Sequence, residues 1–241
     1  MGMSEFARAA VRQAGAREWR GLALALFLLL TITNIVLVLY APARGETPGT
    51  IFALAGAARG IGLLSISVAM LRVAAASPRG RWSFDAGFFL YFALSLLALA
   101  LTFAIRLAAG TPGDGIASFL GPVAELLLLA PLAPWMVAAA VDKPLARDPR
   151  PWLRDFGAWL PPLLLLSVPV ALLGAAHAMS SLHLLAIGGD DGAFWPLAVA
   201  DGLVSTTIVL ATLALRLTAW RTLRPAAVPG YPAADPYRKE T

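Results

Sequence analysis

Six stretches of about 20 mainly apolar residues divide the chain, near residues 21–40, 51–71, 86–107, 117–140, 157–179 and 195–217. At a rise of about 1.5 Å per residue, each covers the ~30 Å hydrocarbon core of a bilayer. The pattern predicts an all-α integral membrane protein with six transmembrane helices over 21–217. Residues 1–20 form a basic lead, and residues 218–241, with four prolines and little apolar periodicity, read as a flexible Pro-rich tail. Within the lead, Ala7, Ala10, Val11 and Ala14 share one helical face and several arginines lie off it. That is the pattern of a short helix on an anionic membrane surface, or of a solvated lead helix.

The positions between the apolar stretches set an orientation. Of the 19 basic residues, 16 fall at both termini and on alternate connections, among them Arg8, Arg72, Arg79, Arg81, Lys143, Arg154, Arg216 and Arg221. Lys and Arg near span ends are retained on the cytoplasmic side, so both termini are expected in the cytoplasm, with the helices in a bacterial-type cytoplasmic (inner) membrane. Trp19, Trp82, Trp152, Trp195 and Trp220 fall at expected span ends, as an interfacial aromatic belt would. The APA at 41–43 resembles a leader cleavage site, but it follows a full-length span and a long charged lead, so the first span is expected to remain as an anchor.

Composition sharpens the class. With 59% hydrophobic and 14% charged residues and a mean hydropathy of +0.75, the chain lies outside the soluble range. The net charge of +5 is accounted for by the basic loops facing anionic lipid, so membrane lipids are expected partners and nucleic acid is not. A protein partner or a homo-oligomer stays open. The absence of cysteine removes disulfides, thiolate metal sites and cysteine nucleophiles.

An internal repeat is visible when the stretches are overlaid. WSFDAG at 82–87 matches WLRDFG at 152–157, and VAELL at 123–127 matches VADGL at 199–203, while AARGIG at 57–62 places Arg59 where the others carry an acid. Repeated helical hairpins would explain this.

The overlay also gathers the charges that lie within the spans. Arg59, Glu125 and Asp201 fall at one depth in the expected outer half, joined by Asn34 on the first span, Arg106 on the third and His177 on the fifth. A charge at mid-membrane costs about 2.5–3.5 kcal/mol on insertion scales, so these residues should face inward and find partners. Arg59 is expected to pair with Glu125 or Asp201; the acid left over would take Arg106, hold water or a cation, or carry a proton. The six residues are therefore candidates for a substrate or ion site, with helix packing as the competing reading. Polar positions at helical spacing, Asp201–Ser205–Thr212–Arg216 and Ser167–Gly174–His177–Ser181, would line a hydrated path or allow close packing. Gly56 and Gly60 are expected at close helix contacts, and Pro131, Pro134, Pro161, Pro162 and Pro169 at bends.

Catalytic chemistry is sparsely represented. His177, His183 and the Asp190–Asp191 pair could bind metal or move protons, but His-x5-His matches no zinc pattern and GGDDG reads as a loop. No metal site, catalytic residue or cofactor is assigned, and no nucleotide-binding or hydrolase motif is present. Six spans after a basic helix share the layout of the permease subunit of an ATP-driven exporter, an analogy of architecture alone. The expected function is a small transporter or permease subunit with a polar site in the outer half of the membrane; the alternative is a non-catalytic accessory subunit of a larger membrane complex, and an intramembrane enzyme comes third.

Overall fold

A computed structural model describes residues 2–43, 46–108, 130–141 and 156–227. All regular structure among them is helical. Helix α1 spans Met3–Ala14 and a 3-10 turn, Arg17–Trp19, leads into α2, Arg20–Leu39. Then come α3, Thr50–Ala74, and α4, Ala86–Ala108. A turn at Ala130–Leu132 opens α5, Ala133–Val141, and the long helices α6, Phe156–Ile187, and α7, Phe194–Ala227, complete the order.

Four helical stretches are long and apolar enough to cross a membrane: Arg17–Leu39, Thr50–Ala74, Phe156–Ile187 and Phe194–Leu223. Two shorter apolar stretches, Ala86–Leu101 and Ala130–Val141, accompany them. The expected fourth span falls mostly outside the described residues, as does the 123–127 half of one repeat match.

Helices α6 and α7 outrun the expected 157–179 and 195–217, reaching 32 and 34 residues, or roughly 48 and 51 Å at the helical rise. Nothing in SSLHLLAI breaks a helix, so α6 continues until Gly188, whose left-handed φ of +72° ends it while its N–H still reaches the Leu184 carbonyl at 3.2 Å. Asp191 then starts α7, its carboxylate accepting from the Ala193 amide at 2.8 Å. The GGDDG segment is thus a stop and a start signal in sequence. Pro131 lies in the 3-10 turn and Pro134 in the first turn of α5, where a missing N–H costs little. Pro161, Pro162 and Pro169 lie within α6, which runs through them.

The packing centres on α7, which meets α6 most extensively and also touches α1, α2, α3 and α5. Leu213, Ala214, Leu217, Trp220 and Leu223 of α7 are buried in one cluster with Leu26 and Leu30 of α2, Met70 and Leu71 of α3, and Met136 to Ala140 of α5. A smaller cluster, Leu184, Phe194 and Ala198, closes the opposite end between α6 and α7. Large apolar side chains also cover the outside, including Leu24, Ile32, Leu54, Leu99, Leu182 and Leu203. An apolar exterior over an apolar core fits hydrocarbon as the surrounding solvent.

Three local expectations differ from the structure. Helix α1 docks through Phe6, Ala10 and Gln13, while Val11 is 72% exposed. The large Phe6 ring, absent from the small-residue stripe, sets the rotation because it buries the most apolar area. Trp19 and Trp220 are buried rather than interfacial, and the Trp19 indole donates to the Met70 carbonyl at 2.9 Å. Trp82 and Trp195 stay about half exposed. Among the described residues, Gly56 and Gly60 face open space; close helix approaches occur instead at glycines such as Gly62, against Leu29, and Gly202, against Thr31.

Candidate functional site

The α2, α3, α6 and α7 helices carry Asn34, Arg59, His177 and Asp201 to one place. Asp201 sits in the second turn of α7 with its side chain wholly enclosed. Its Oδ2 accepts from Asn34 Nδ2 at 2.7 Å, and its Oδ1 meets His177 Nδ1 at 2.8 Å. Ser180, one turn beyond His177 on α6, donates its hydroxyl to the same Oδ1. Arg59 donates to Asn34 Oδ1 at 3.3 Å, so the guanidinium reaches Asp201 through the amide rather than directly. Of the two expected partners of Arg59, Asp201 is thus reached by a relay, because Asn34, on the intervening α2, offers a donor to the acid and an acceptor to the base, while Glu125 lies outside the described residues.

Local sequence explains the convergence. On α7, Asp201 and Ser205 are four apart and share a face. Between them Gly202 lets α2 close in: a Cβ there would overlap the Thr31 hydroxyl and come within 3.0 Å of Thr31 Cβ. Three residues on from Thr31, Asn34 then faces Asp201. Thr31 Oγ1 is itself buried and makes no hydrogen bond among the described residues.

One nitrogen of His177 carries two contacts, Asp201 Oδ1 at 2.8 Å and Ser205 Oγ at 3.1 Å. Nδ1 has one proton or one lone pair to offer: protonated, it donates to the Asp201 carboxylate, with Ser205 Oγ as the longer contact; bare, it accepts from one donor. A serine–histidine–aspartate relay would need Ser and Asp on different ring nitrogens, which this geometry does not supply. The imidazole is 26% exposed while the carboxylate is fully covered.

Of the remaining candidates, Arg106 lies on α4, with its side chain outside the described part, and Glu125 lies outside the described residues. The Ser180 and Thr31 contacts were not read from sequence, although Ser180 follows His177 by one helical turn; Ser181 had been placed on that face instead. His183 is exposed, and no group of three or more potential metal-ligating His, Asp or Glu side chains occurs among the described residues.

A second polar centre lies at the other end of the bundle. Arg72, buried near the end of α3, donates Nε to the Ala140 carbonyl at 3.0 Å, and Nη1 to the carbonyls of Gly80 at 3.0 Å and Ser83 at 2.6 Å. Its Nη2 pairs with Asp85 at 2.7 Å. Asp85 also caps α4 by accepting from the Phe88 amide at 3.0 Å. Burial pushes the Asp85 carboxyl upward, but the Phe88 amide and the Arg72 and Arg79 guanidinium groups outweigh it and hold the group below the usual carboxylate range. Nearby, Arg221 of α7 joins the Gln13 side chain of α1, at 2.9 Å, to the Ala74 carbonyl of α3, at 2.5 Å. Arginines that topology alone had assigned to loops here close helix ends.

No family model, curated protein or solved structure matches the chain. Its class follows from the fold: helices apolar enough to span a bilayer mark it as a membrane protein.

Proposed function

We propose that the chain is a small transporter or the permease subunit of one, in which His177 and Asp201 form a proton-binding pair beside a polar solute site bounded by Asn34, Arg59 and Thr31. The observation that carries this reading is an enclosed carboxylate in direct contact with a partly exposed imidazole inside an apolar bundle. Imidazole changes charge near physiological pH and can pass a proton between the surroundings and a covered acid. Intramembrane ionisable residues of this kind mark proton relays and solute paths by default. The Thr31 hydroxyl adds a polar group with spare hydrogen-bonding capacity at the same helix crossing. The distribution of basic residues supports the reading of cytoplasmic termini and, with it, of a site in the outer half of the membrane.

A second reading, an accessory subunit, draws on the same contacts: one network joins α2, α3, α6 and α7 and would fix their packing. The two separate in proteoliposomes loaded at alkaline pH, diluted into acidic medium containing a mixture of small metabolites, and analysed by mass spectrometry. Transport predicts at least one solute accumulated by the native chain and lost in both Asp201→Asn and His177→Gln. Solute profiles matching those of empty vesicles would favour the accessory reading.

A further inference from the structure

At the opposite end from Asp201, a cavity of about 260 Å³ opens among Arg72, Val73, Ala76, Ser77, Arg79 and Arg81. We infer that it is a phosphate-ester site, taking the anionic headgroup of a lipid or a soluble phosphate ester, held by Arg79 and Arg81 against the fixed charge of Arg72. This inference is independent of the transport reading and uses none of its residues.

Charge is the first argument. Three guanidinium groups line the cavity and one carboxylate, Asp85, pairs with Arg72 and Arg79, which leaves a local surplus of two positive charges among the described residues. The three arginines are held differently. Arg72 has Nε, Nη1 and Nη2 each engaged, by the Ala140, Gly80, Ser83 and Asp85 contacts, and chiefly supplies field. Among the described residues, the Arg79 side chain makes long contacts: 3.6 Å to Asp85, 3.4 Å to the Ala139 carbonyl and 3.5 Å to that of Ala140. Arg81 is exposed. A phosphate offers charged acceptors that guanidinium matches with two parallel donors, a stronger arrangement than these long contacts.

The backbone removes the objection that a helix C-terminus repels anions. The last α3 carbonyls are each covered: Leu71 by the Ala75 amide at 2.9 Å, Arg72 by that of Ser77 at 2.9 Å, Val73 by that of Ala76 at 3.2 Å, and Ala74 by Arg221. This closing motif puts Ala76 at φ +47°, a position that normally selects glycine. A strained non-glycine residue in the cavity wall is a feature that clusters at ligand sites.

Gly87 completes the construction. A Cβ at that position would overlap the Arg79 guanidinium and come within 2.6 Å of the Ala139 carbonyl. Glycine therefore lets Arg79 lie across the first turn of α4. In the matching WLRDFG, Gly157 faces open space, so the two copies of the motif are not equivalent here. Asp85 and Gly87, the shared D-x-G of the first copy, respectively anchor and admit the arginine.

The test uses full-length protein in neutral detergent, in two arms. In the first, native mass spectrometry compares retention of phosphatidylglycerol and phosphatidylcholine by the native chain, Arg79→Gln/Arg81→Gln, Gly87→Ala and Gly157→Ala. In the second, melting is followed with glycerol 3-phosphate or inorganic phosphate against chloride at equal ionic strength. A lipid headgroup site predicts selective phosphatidylglycerol retention that weakens about tenfold or more in the double variant and in Gly87→Ala, and not in Gly157→Ala. A soluble phosphate ligand predicts a melting shift in the native chain that the same variants lose. Arg81→Gln alone, at an exposed position, should weaken either signal and covers the case in which Gly87→Ala fails to fold. Equal retention of both lipids with no phosphate-dependent shift would overturn the inference. So would binding that Arg81→Gln and the double variant leave unchanged.

Discussion

The two polar centres of this bundle are built from opposite materials. Around Arg72, charged side chains mostly meet backbone carbonyls and one depressed carboxylate; around Asp201, side chains meet side chains, and one of them is an imidazole. A guanidinium keeps its charge at any ordinary pH and the depressed Asp85 carboxyl stays ionised until the pH is acid, so near neutral pH the first centre has one electrical state and serves as a bracket joining α3, α4 and α5. The second joins a covered carboxylate to an imidazole, a group that ordinarily changes charge near neutral pH, and is the pair to which the proposed function assigns a proton. Magnitudes support this division: removing one partner of a buried ion pair costs about 3–5 kcal/mol, a risk that suits a permanent fixture. Asp201, by contrast, shares its load among Asn34, His177 and Ser180, so losing any one contact, worth about 0.5–3 kcal/mol, leaves the carboxylate still bonded.

The largest effect that would break the comparison is at Arg72. Arg72→Met should lower stability by about 3–5 kcal/mol, read as a large fall in Tm, because Asp85 and the carbonyls of Gly80, Ser83 and Ala140 lose their donor together. A small change in Tm would mean that the bracket is ornamental. Next comes Gly202→Val, which forces a branched side chain into Thr31 and should cost about 1–3 kcal/mol by overpacking; thermal melts read it directly, and an unchanged Tm would contradict the close α2–α7 crossing.

Asp85 gives the comparison a pH signature. Because its folded carboxyl lies below the usual range, the unfolded chain binds the proton more readily. Its contribution is complete above about pH 4 and is lost as pH falls through the lower folded value. Asp85→Asn should therefore lower Tm at neutral pH and flatten the acid limb of the Tm profile. An acid limb as steep as in the native chain would assign that limb to other groups. The smallest effect is at Gly60, where a Cβ meets nothing within 4 Å: Gly60→Ala should stabilise α3 by about 0.5–1 kcal/mol, a slight rise in Tm. A fall would show a contact that the bundle does not display.

What the sequence made legible follows the same division. Long apolar runs are read from composition, and the helices at α2, α3 and α4 start and stop within a few residues of expectation. Where the signal is local and polar less is legible: GGDDG reads as a loop and is one, but the roles of Gly188 and Asp191 in ending α6 and starting α7 show only in the structure. Intramembrane polar residues announce themselves by their cost in hydrocarbon, which is why Asn34, Arg59, His177 and Asp201 stood out before their contacts were known. Their partners did not, because helix rotation is fixed by packing such as Gly202 against Thr31 and by bulky anchors such as Phe6. The Arg72 bracket was invisible for a different reason. Its acceptors are main-chain carbonyls, which carry no residue identity, and a basic residue near a span end already had a sufficient explanation in topology.

The proposed function rests on proton exchange by the His177–Asp201 pair. Since the chain holds two histidines, 15N-histidine labelling with His177→Gln for assignment resolves both rings by NMR across pH 5 to 8, the range in which imidazoles change charge. The account predicts that the His177 ring signals respond to pH and that Asp201→Asn alters this response while leaving His183 unchanged. Signals from His177 that stay fixed across the range and are indifferent to Asp201→Asn would contradict it.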